Sequence, residues 1–395
     1  MKRRFLLLAA LVAHCGATNA QPDSTIVIPM TYDRYLYVDA LLNDTVRGRF
    51  MFDMGAQLTL LDSSFMARYG VRLSHIQTAR MIGYGNREKT AVYSTDTLHF
   101  TLGAHSFASS PNVSYAFEYP LGEISGLLGP TAFGGRILAI DYAAGSLRIL
   151  PPEARDTLGN DRYERIPFTI NHTNFVTLPL TVVIDSARHR TVSGLVHIDT
   201  GDPGSLTLNA SGKQLRKWKK QALNWHTHSV PLLGINGSGR ISVIRTQALR
   251  LGEAVIPAHE ITIQEESQAR ISLHIGAIGN ALLSQFGSVI FDMEDNSLYL
   301  PRGKRFANKN RVNYSGFRLS YISEWFVNGL SHHPTSVRDG DIVTRIDRRP
   351  IDSLSQEQLD TYFCTPDRRY TLTVLRDGEP LEIPVTNLND KTLWH

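Results

Sequence analysis

Phe52-Asp53-Met54-Gly55, followed by Leu58-Thr59-Leu60, returns later in the chain as Ile198-Asp199-Thr200-Gly201, followed by Leu206-Thr207-Leu208. Each copy is an apolar strand that runs into an aspartate, with a glycine two residues on and a second short apolar strand beyond. The copies differ by a short insertion around Pro203. Further along, Gly126-Leu127-Leu128-Gly129 corresponds to Gly276-Ala277-Ile278-Gly279. Each copy also closes alike: Ile140-Asp141 leads to Ser146-Leu147 and Pro151, and Phe291-Asp292 leads to Ser297-Leu298 and Pro301. Matching landmarks in one order define an internal duplication, and hence two similar lobes.

The landmarks also carry chemistry. Glycine after Asp53 and Asp199 lets the chain turn sharply, so that a carboxylate is offered to a cleft while nearby backbone amides hydrogen-bond it. A single Asp-x-Gly is a common turn and means little. Two of them on duplicated lobes can meet where the lobes touch. Two carboxyl groups about 3 Å apart cannot both ionise easily, so they share one proton. One then takes a proton from water while the other protonates or hydrogen-bonds a carbonyl. The titration belongs to the pair, so separate acid and base assignments stay open.

Eighteen prolines and thirty glycines among short apolar runs in 395 residues point to a turn-rich, mostly β protein of two or three domains. Strands are expected at Thr25–Pro29, Tyr35–Leu42, Arg49–Asp53, Leu98–Leu102 and Leu147–Leu150, with about six per lobe, and a short helix at Ser63–Tyr69 capped by Asp62 or Ser63. Polar segments 151–165 and 301–313 read as linkers. At the start, Lys2, Arg3 and Arg4 precede the apolar run Phe5–Ala13, and Thr18-Asn19-Ala20 supplies a small residue before Gln21, the pattern of a cleaved export signal. Cys15 raises a lipoprotein alternative, although His14 stands where a small residue is needed. The formal charge of +4 includes those three leader cations, leaving +1, which gives no footing for a nucleic-acid partner. Cleavage leaves Cys364 alone, so no intrachain disulfide is expected. No later apolar run is long enough for a transmembrane helix.

On these motifs the chain resembles the pepsin and retropepsin superfamily of aspartic peptidases, most closely bacterial members that carry a trailing PDZ domain. The resemblance covers about residues 27–301 and rests on Asp199-Thr200-Gly201, Ala277-Ile278-Gly279, Asp53, Gly55 and Leu127-Leu128-Gly129. It implies a bilobal acid-protease fold and an exported endopeptidase, with Asp53 and Asp199 as the catalytic dyad and Gly55, Thr200 and Gly201 supporting it. It implies no cofactor and no metal, and a polypeptide substrate in the cleft between the lobes. Ile82-Gly83-Tyr84-Gly85-Asn86 would be the hairpin tip that covers substrate, with Tyr84 and Gly85 at the flap; an ordinary surface hairpin is the alternative. Met54 departs from the pattern, because the family has Thr or Ser there, whose hydroxyl hydrogen-bonds across the lobes. Methionine cannot donate that bond. A lost hydrogen bond costs about 0.5–1.5 kcal/mol, and a misplaced catalytic group up to about 10²-fold in rate. The competing reading is a catalytically impaired, peptide-binding envelope protein whose first lobe is a structural copy.

His197 precedes Asp199 by two residues and shares its strand face, where it either tunes the dyad or packs as an ordinary histidine. Beyond the lobes, Ser315-Gly316-Phe317-Arg318-Leu319 reads as a carboxylate-binding turn and strand, and Arg338-Asp339-Gly340-Asp341 leads into Ile342-Val343. Leu354–Phe363 reads as a helix, and Thr371–Arg376 and Leu381–Val385 form a hairpin about Asp377-Gly378. This resembles a PDZ domain, and such domains bind extended peptides or protein C-termini by strand addition. The region His332-His333-Pro334 replaces the usual small-residue helix start. The expected organisation is thus a signal peptide at 1–20, lobes at 21–155 and 156–303, and the PDZ-like domain at 312–388. The protein is expected to be exported, to the periplasm or cell envelope or as a secreted protein.

Overall fold

The computed structural model describes residues 25–81, 89–117, 124–171, 175–209, 225–228, 241–257, 260–264, 274–306, 313–321, 324–330 and 336–389. The chain is mostly β, built on three sheets in the duplicated region and a fourth beyond it.

Two ten-stranded sheets repeat one another strand for strand. The first runs Ile76–Met81, Lys89–Ser94, Asn112–Tyr115, Thr59–Asp62, Gly126–Leu128, Val46–Phe52, Tyr35–Leu42, Leu98–Leu102, His105–Ser109, with Thr31–Asp33 paired on Tyr35–Leu42. The second runs Trp225–His228, Ile241–Arg245, Glu260–Gln264, Leu206–Asn209, Gly276–Ile278, Arg190–Ile198, Val176–Asp185, Ala248–Leu251, Ala254–Pro257, with Thr169–Ile170 paired on Val176–Asp185. The two orders superimpose element by element, which is the duplication seen in space.

A six-stranded sheet joins the lobes: Ile26–Pro29, Ser146–Leu150, Ile137–Asp141, Ser288–Asp292, Ser297–Pro301, Tyr163–Pro167. Its central pair is one strand from each lobe, antiparallel, with Ala139 opposite Ile290. The lobes therefore differ from the expected six or so strands each. Short turn-bounded strands fall below what alternation resolves, and the closing strands of each repeat leave their own sheet for the shared one. Segment 151–165 is likewise more than a linker. It forms the helix Ala154–Leu158 and begins the strand Tyr163–Pro167, which pairs with Ser297–Pro301. Arg155 on that helix binds Asp292, a fully buried carboxylate of the second lobe, through Nε and Nη2.

The core follows the alternation in the strands: Leu36, Val38, Ala40 and Leu42 of Tyr35–Leu42 point inward and are buried. The helix Ser63–Tyr69 forms where expected. Asp62 Oδ1 accepts from the Phe65 amide at 2.9 Å, and Gly70 closes the helix with φ 67°.

The fourth sheet is separate and smaller, ordered Phe317–Tyr321, Trp325–Leu330, Ile342–Ile346, Arg369–Arg376, Glu379–Thr386, with Arg349–Pro350 on Ile342–Ile346. The helix Gln356–Phe363 begins at a capping box on Ser355. Phe317, Val327, Val343, Leu359, Leu372 and Ile383 belong to its own apolar core. The nearly buried Asp341 is held by Arg376, Nη2 to Oδ2 2.8 Å. Residues 331–335, with His332-His333-Pro334, lie outside the described residues. Among the described residues no helix is long and apolar enough to cross a membrane.

Candidate active site

The two landmarks of each lobe are hydrogen-bonded neighbours, which explains their spacing. Gly126–Leu128 runs parallel to Val46–Phe52, with Leu128 opposite Phe52, and the Asp53 amide donates to the Leu128 carbonyl at 2.9 Å. In the second lobe Gly276–Ile278 runs parallel to Arg190–Ile198, with Ile278 opposite Ile198, and the Asp199 amide donates to the Ile278 carbonyl at 2.9 Å. Each aspartate is thereby fixed at its backbone just where its strand ends.

Asp53 and Asp199 come together at the lobe interface, each 8% exposed, close enough that one backbone amide, that of Gly201, donates to a carboxyl oxygen of both. Asp53 Oδ1 accepts from the Gly55 amide at 2.7 Å and from the Gly201 amide of the other lobe at 2.9 Å. Asp199 Oδ1 accepts from the same Gly201 amide at 2.9 Å. A Cβ on Gly55 would stand 2.7 Å from Asp199 Oδ1, and one on Gly201 2.6 Å from Asp53 Oδ2. The glycines are thus required by the close approach of the opposite carboxylate.

Both carboxyl groups are held well above the usual carboxylate range, in each case chiefly by burial. The next cause at Asp53 is the charge of Asp199, opposed by the Gly55 and Gly201 amides. At Asp199 it is the charge of Asp202, opposed by the hydrogen bond from Asp53. Burial and a neighbouring carboxyl group both favour the protonated acid, so each shift is in the same direction.

Thr200 spans the interface below the dyad. Its Oγ1 accepts from the Met54 amide at 2.9 Å and donates to the Phe52 carbonyl at 3.0 Å. Met54 is 1% exposed and has no hydroxyl to return the two bonds. The cross-lobe bracket is thus present from the second lobe only, and the Met54 side chain packs in the core instead.

Three neighbours were not singled out from the sequence. Asn280, fully buried, accepts from Tyr142 Oη at 2.9 Å and donates to the Thr200 carbonyl at 2.6 Å and the Arg34 carbonyl at 3.1 Å, tying both lobes to the dyad turn. Asp202 adds a third carboxylate, held by the Gly204 amide at 2.7 Å and Thr207 Oγ1 at 2.8 Å. Tyr35, pushed up to about 12 chiefly by burial, also feels the charges of Asp202 and Asp199. The one available signal was Asn280 itself, a polar residue directly after a landmark glycine. His197 lies beside the dyad, its Nε2 3.5 Å from Asp199 Oδ2. Tyr84 and Gly85 lie outside the described residues. Among the described residues no group of three or more His, Cys, Asp or Glu side chains is arranged to hold a metal.

Residues 38–130, which include Asp53 and its turn, match the family model described as aspartyl protease. Among solved structures the chain is similar to an aspartic proteinase from Irpex lacteus, at 12% identity and TM-score 0.47, over 72% of this chain and 99% of that one. It is also similar to Basic 7S globulin from soybean, at 12% identity and TM-score 0.41, over 72% of this chain and 96% of that one. No curated protein matches the chain.

Proposed function

We propose that the protein is an aspartic endopeptidase that hydrolyses peptide bonds with water activated between Asp53 and Asp199. The observation that carries this reading is the convergence of two buried carboxyl groups, drawn from the two lobes, on one backbone amide, that of Gly201. The aspartyl protease match over residues 38–130 supports it. In the reaction, the ionised member takes a proton from water as the water oxygen bonds to the scissile carbonyl carbon. The protonated member gives its proton to the carbonyl oxygen. Collapse of the tetrahedral intermediate breaks the C–N bond, and the leaving nitrogen takes up a proton from the pair. The substrate is an extended polypeptide laid between the lobes, and the leader at 1–20 directs the enzyme out of the cytoplasm. The C-terminal sheet and helix are the PDZ-like domain, offering a second groove for a peptide or protein C-terminus.

A second reading, a peptide-binding protein with an impaired dyad, is favoured by Met54, which leaves the bracket one-sided. Cleavage of a peptide library between pH 4 and 8 separates the two. Asp199→Asn is expected to lower kcat by about 10²–10⁴-fold. Cleavage undiminished in that variant rejects the mechanism, and an intact protein that binds peptides without cutting them establishes the second reading.

A further inference from the structure

Asn280 is fully buried at the start of the short helix Asn280–Leu283, directly after the landmark glycine of the second lobe. Its backbone amide donates to the Asp202 carbonyl at 2.8 Å. Gly279 before it has no room for a side chain, because a Cβ there would stand 2.5 Å from the Asp202 carbonyl oxygen. The start of the helix is thus pressed against the turn that follows Asp199. Both ends of the Asn280 side-chain amide are engaged. Nδ2 has two hydrogens and meets two acceptors, the Thr200 carbonyl at 2.6 Å and the Arg34 carbonyl at 3.1 Å. Oδ1 accepts from Tyr142 Oη at 2.9 Å. Burial holds the Tyr142 phenol well above its ordinary range, so it keeps its proton and stays a donor. Two carbonyls at one end and a hydroxyl at the other fix which way the amide points.

The Thr200 carbonyl and the Gly201 N–H belong to one planar peptide group. That N–H is the donor shared by Asp53 Oδ1 and Asp199 Oδ1, 2.9 Å from each. A hydrogen bond at the carbonyl end holds the plane and polarises the N–H at the other end. Resting on the reading of the pair as a peptidase dyad, we propose that Asn280 is a positioning residue that acts through the Thr200–Gly201 peptide, aiming one amide at both catalytic carboxyl groups. Its other two bonds run to Arg34 and Tyr142 of the first lobe, so the aim is set by both lobes together. In the first lobe the residue after the landmark glycine is Pro130, which has no side-chain donor. The titratable groups about this peptide among the described residues are Asp53, Asp199, Asp202, His197 and Tyr35. Tyr142, Tyr32 and the charged Arg34 lie on the Asn280 side.

Thr200-Gly201 is the only Thr-Gly pair in the sequence. The full chain labelled with carbonyl-¹³C threonine and ¹⁵N glycine therefore gives one NMR correlation, from this peptide alone. Asn280→Leu keeps the size of the side chain and removes both donors. In that variant the carbonyl carbon and the amide proton are both expected to move toward weaker hydrogen bonding. An unmoved correlation overturns the proposal, whether or not the protein cuts peptides. On a cleaved peptide, kcat of Asn280→Leu is expected to fall about tenfold or more, with KM within about twofold of the parent. The acid limb of kcat/KM is expected to move up by about half a pH unit, because the Gly201 amide lowers both acids. A tie that only stabilises the fold would lower the melting temperature and leave kcat and the limb in place. That result, or a change in KM alone, overturns the proposal. Should Asn280→Leu fail to fold, Asn280→Ala, which brings in no bulk, is read in the same two ways. Should the parent cleave nothing at any pH, the peptidase reading fails by itself, and the correlation still decides whether Asn280 aims the shared amide.

Discussion

At the scale of single residues, the site is a contest between two acids that avoid ionising together and the donors that let one of them do so. Thr200 carries the cross-lobe bracket alone, through the Met54 amide and the Phe52 carbonyl. Restoring a hydroxyl with Met54→Thr gives the second lobe's backbone the same two bonds. The expected outcome is a rise in kcat of up to about tenfold, the equivalent of one ordinary hydrogen bond expressed in the transition state. Steady-state kinetics check it, and an unchanged kcat means that one bracket suffices to align the pair. The two turns that hold Asp53, Gly55, Asp199, Thr200 and Gly201 were legible in the sequence because an Asp-x-Gly turn is a local event whose geometry lies within a few residues. Asn280 was not, because its three partners, Arg34, Tyr142 and Thr200, are far away in sequence and converge only through the fold. Thr200 stood out by its place in the second turn, but its partners, the Met54 amide and the Phe52 carbonyl, became clear only with the other lobe in place.

At the scale of elements, each aspartate is delivered by a pair of parallel strands wedged between antiparallel neighbours. The wedge closes only if backbones touch. A Cβ on Gly126 would stand 2.0 Å from the Leu60 carbonyl oxygen, and one on Gly276 2.2 Å from that of Thr207. The opposing atoms are backbone, so no rotamer change relieves the clash. Gly126→Ala is therefore expected to destabilise by on the order of 3 kcal/mol, measurable by urea unfolding; a change below about 1 kcal/mol would show that the strands can separate. The same crowding explains why the landmark glycines recur in both copies. Strands flanked by clear turns, such as Tyr35–Leu42, and the helix capped by Asp62 and Gly70 were readable because their signals are local. The strand Tyr163–Pro167 was not, because its polar sequence lies at a sheet edge and is specified by its partner Ser297–Pro301.

At the scale of the whole molecule, the buried pair Asp53 and Asp199 opposes stability as the pH rises. Its carboxyl groups are raised above the unfolded value of 3.8, so their contribution is fully present in acid and is lost as pH rises through the folded values, about 8 at Asp53 and about 7 at Asp199. Asp199→Asn removes the buried charge. The variant is expected to melt about 2–6 °C above the parent at pH 7, with the gap closing near pH 4. Thermal melts at the two pH values check this; equal melting temperatures at pH 7 would mean that the pair is not charged in the folded protein. His197 and His274, held down at about 4 by burial, act in the opposite sense. Their contribution is complete above 6.5 and declines as pH falls, in parent and variant alike, so it drops out of the comparison.

The sheet that crosses from one lobe to the other has a mechanical consequence. Five residues of Ile137–Asp141 are laddered to five of Ser288–Asp292, so the halves cannot swing apart like jaws without tearing that seam. The shared sheet is a stiff beam that holds the two halves at a fixed angle.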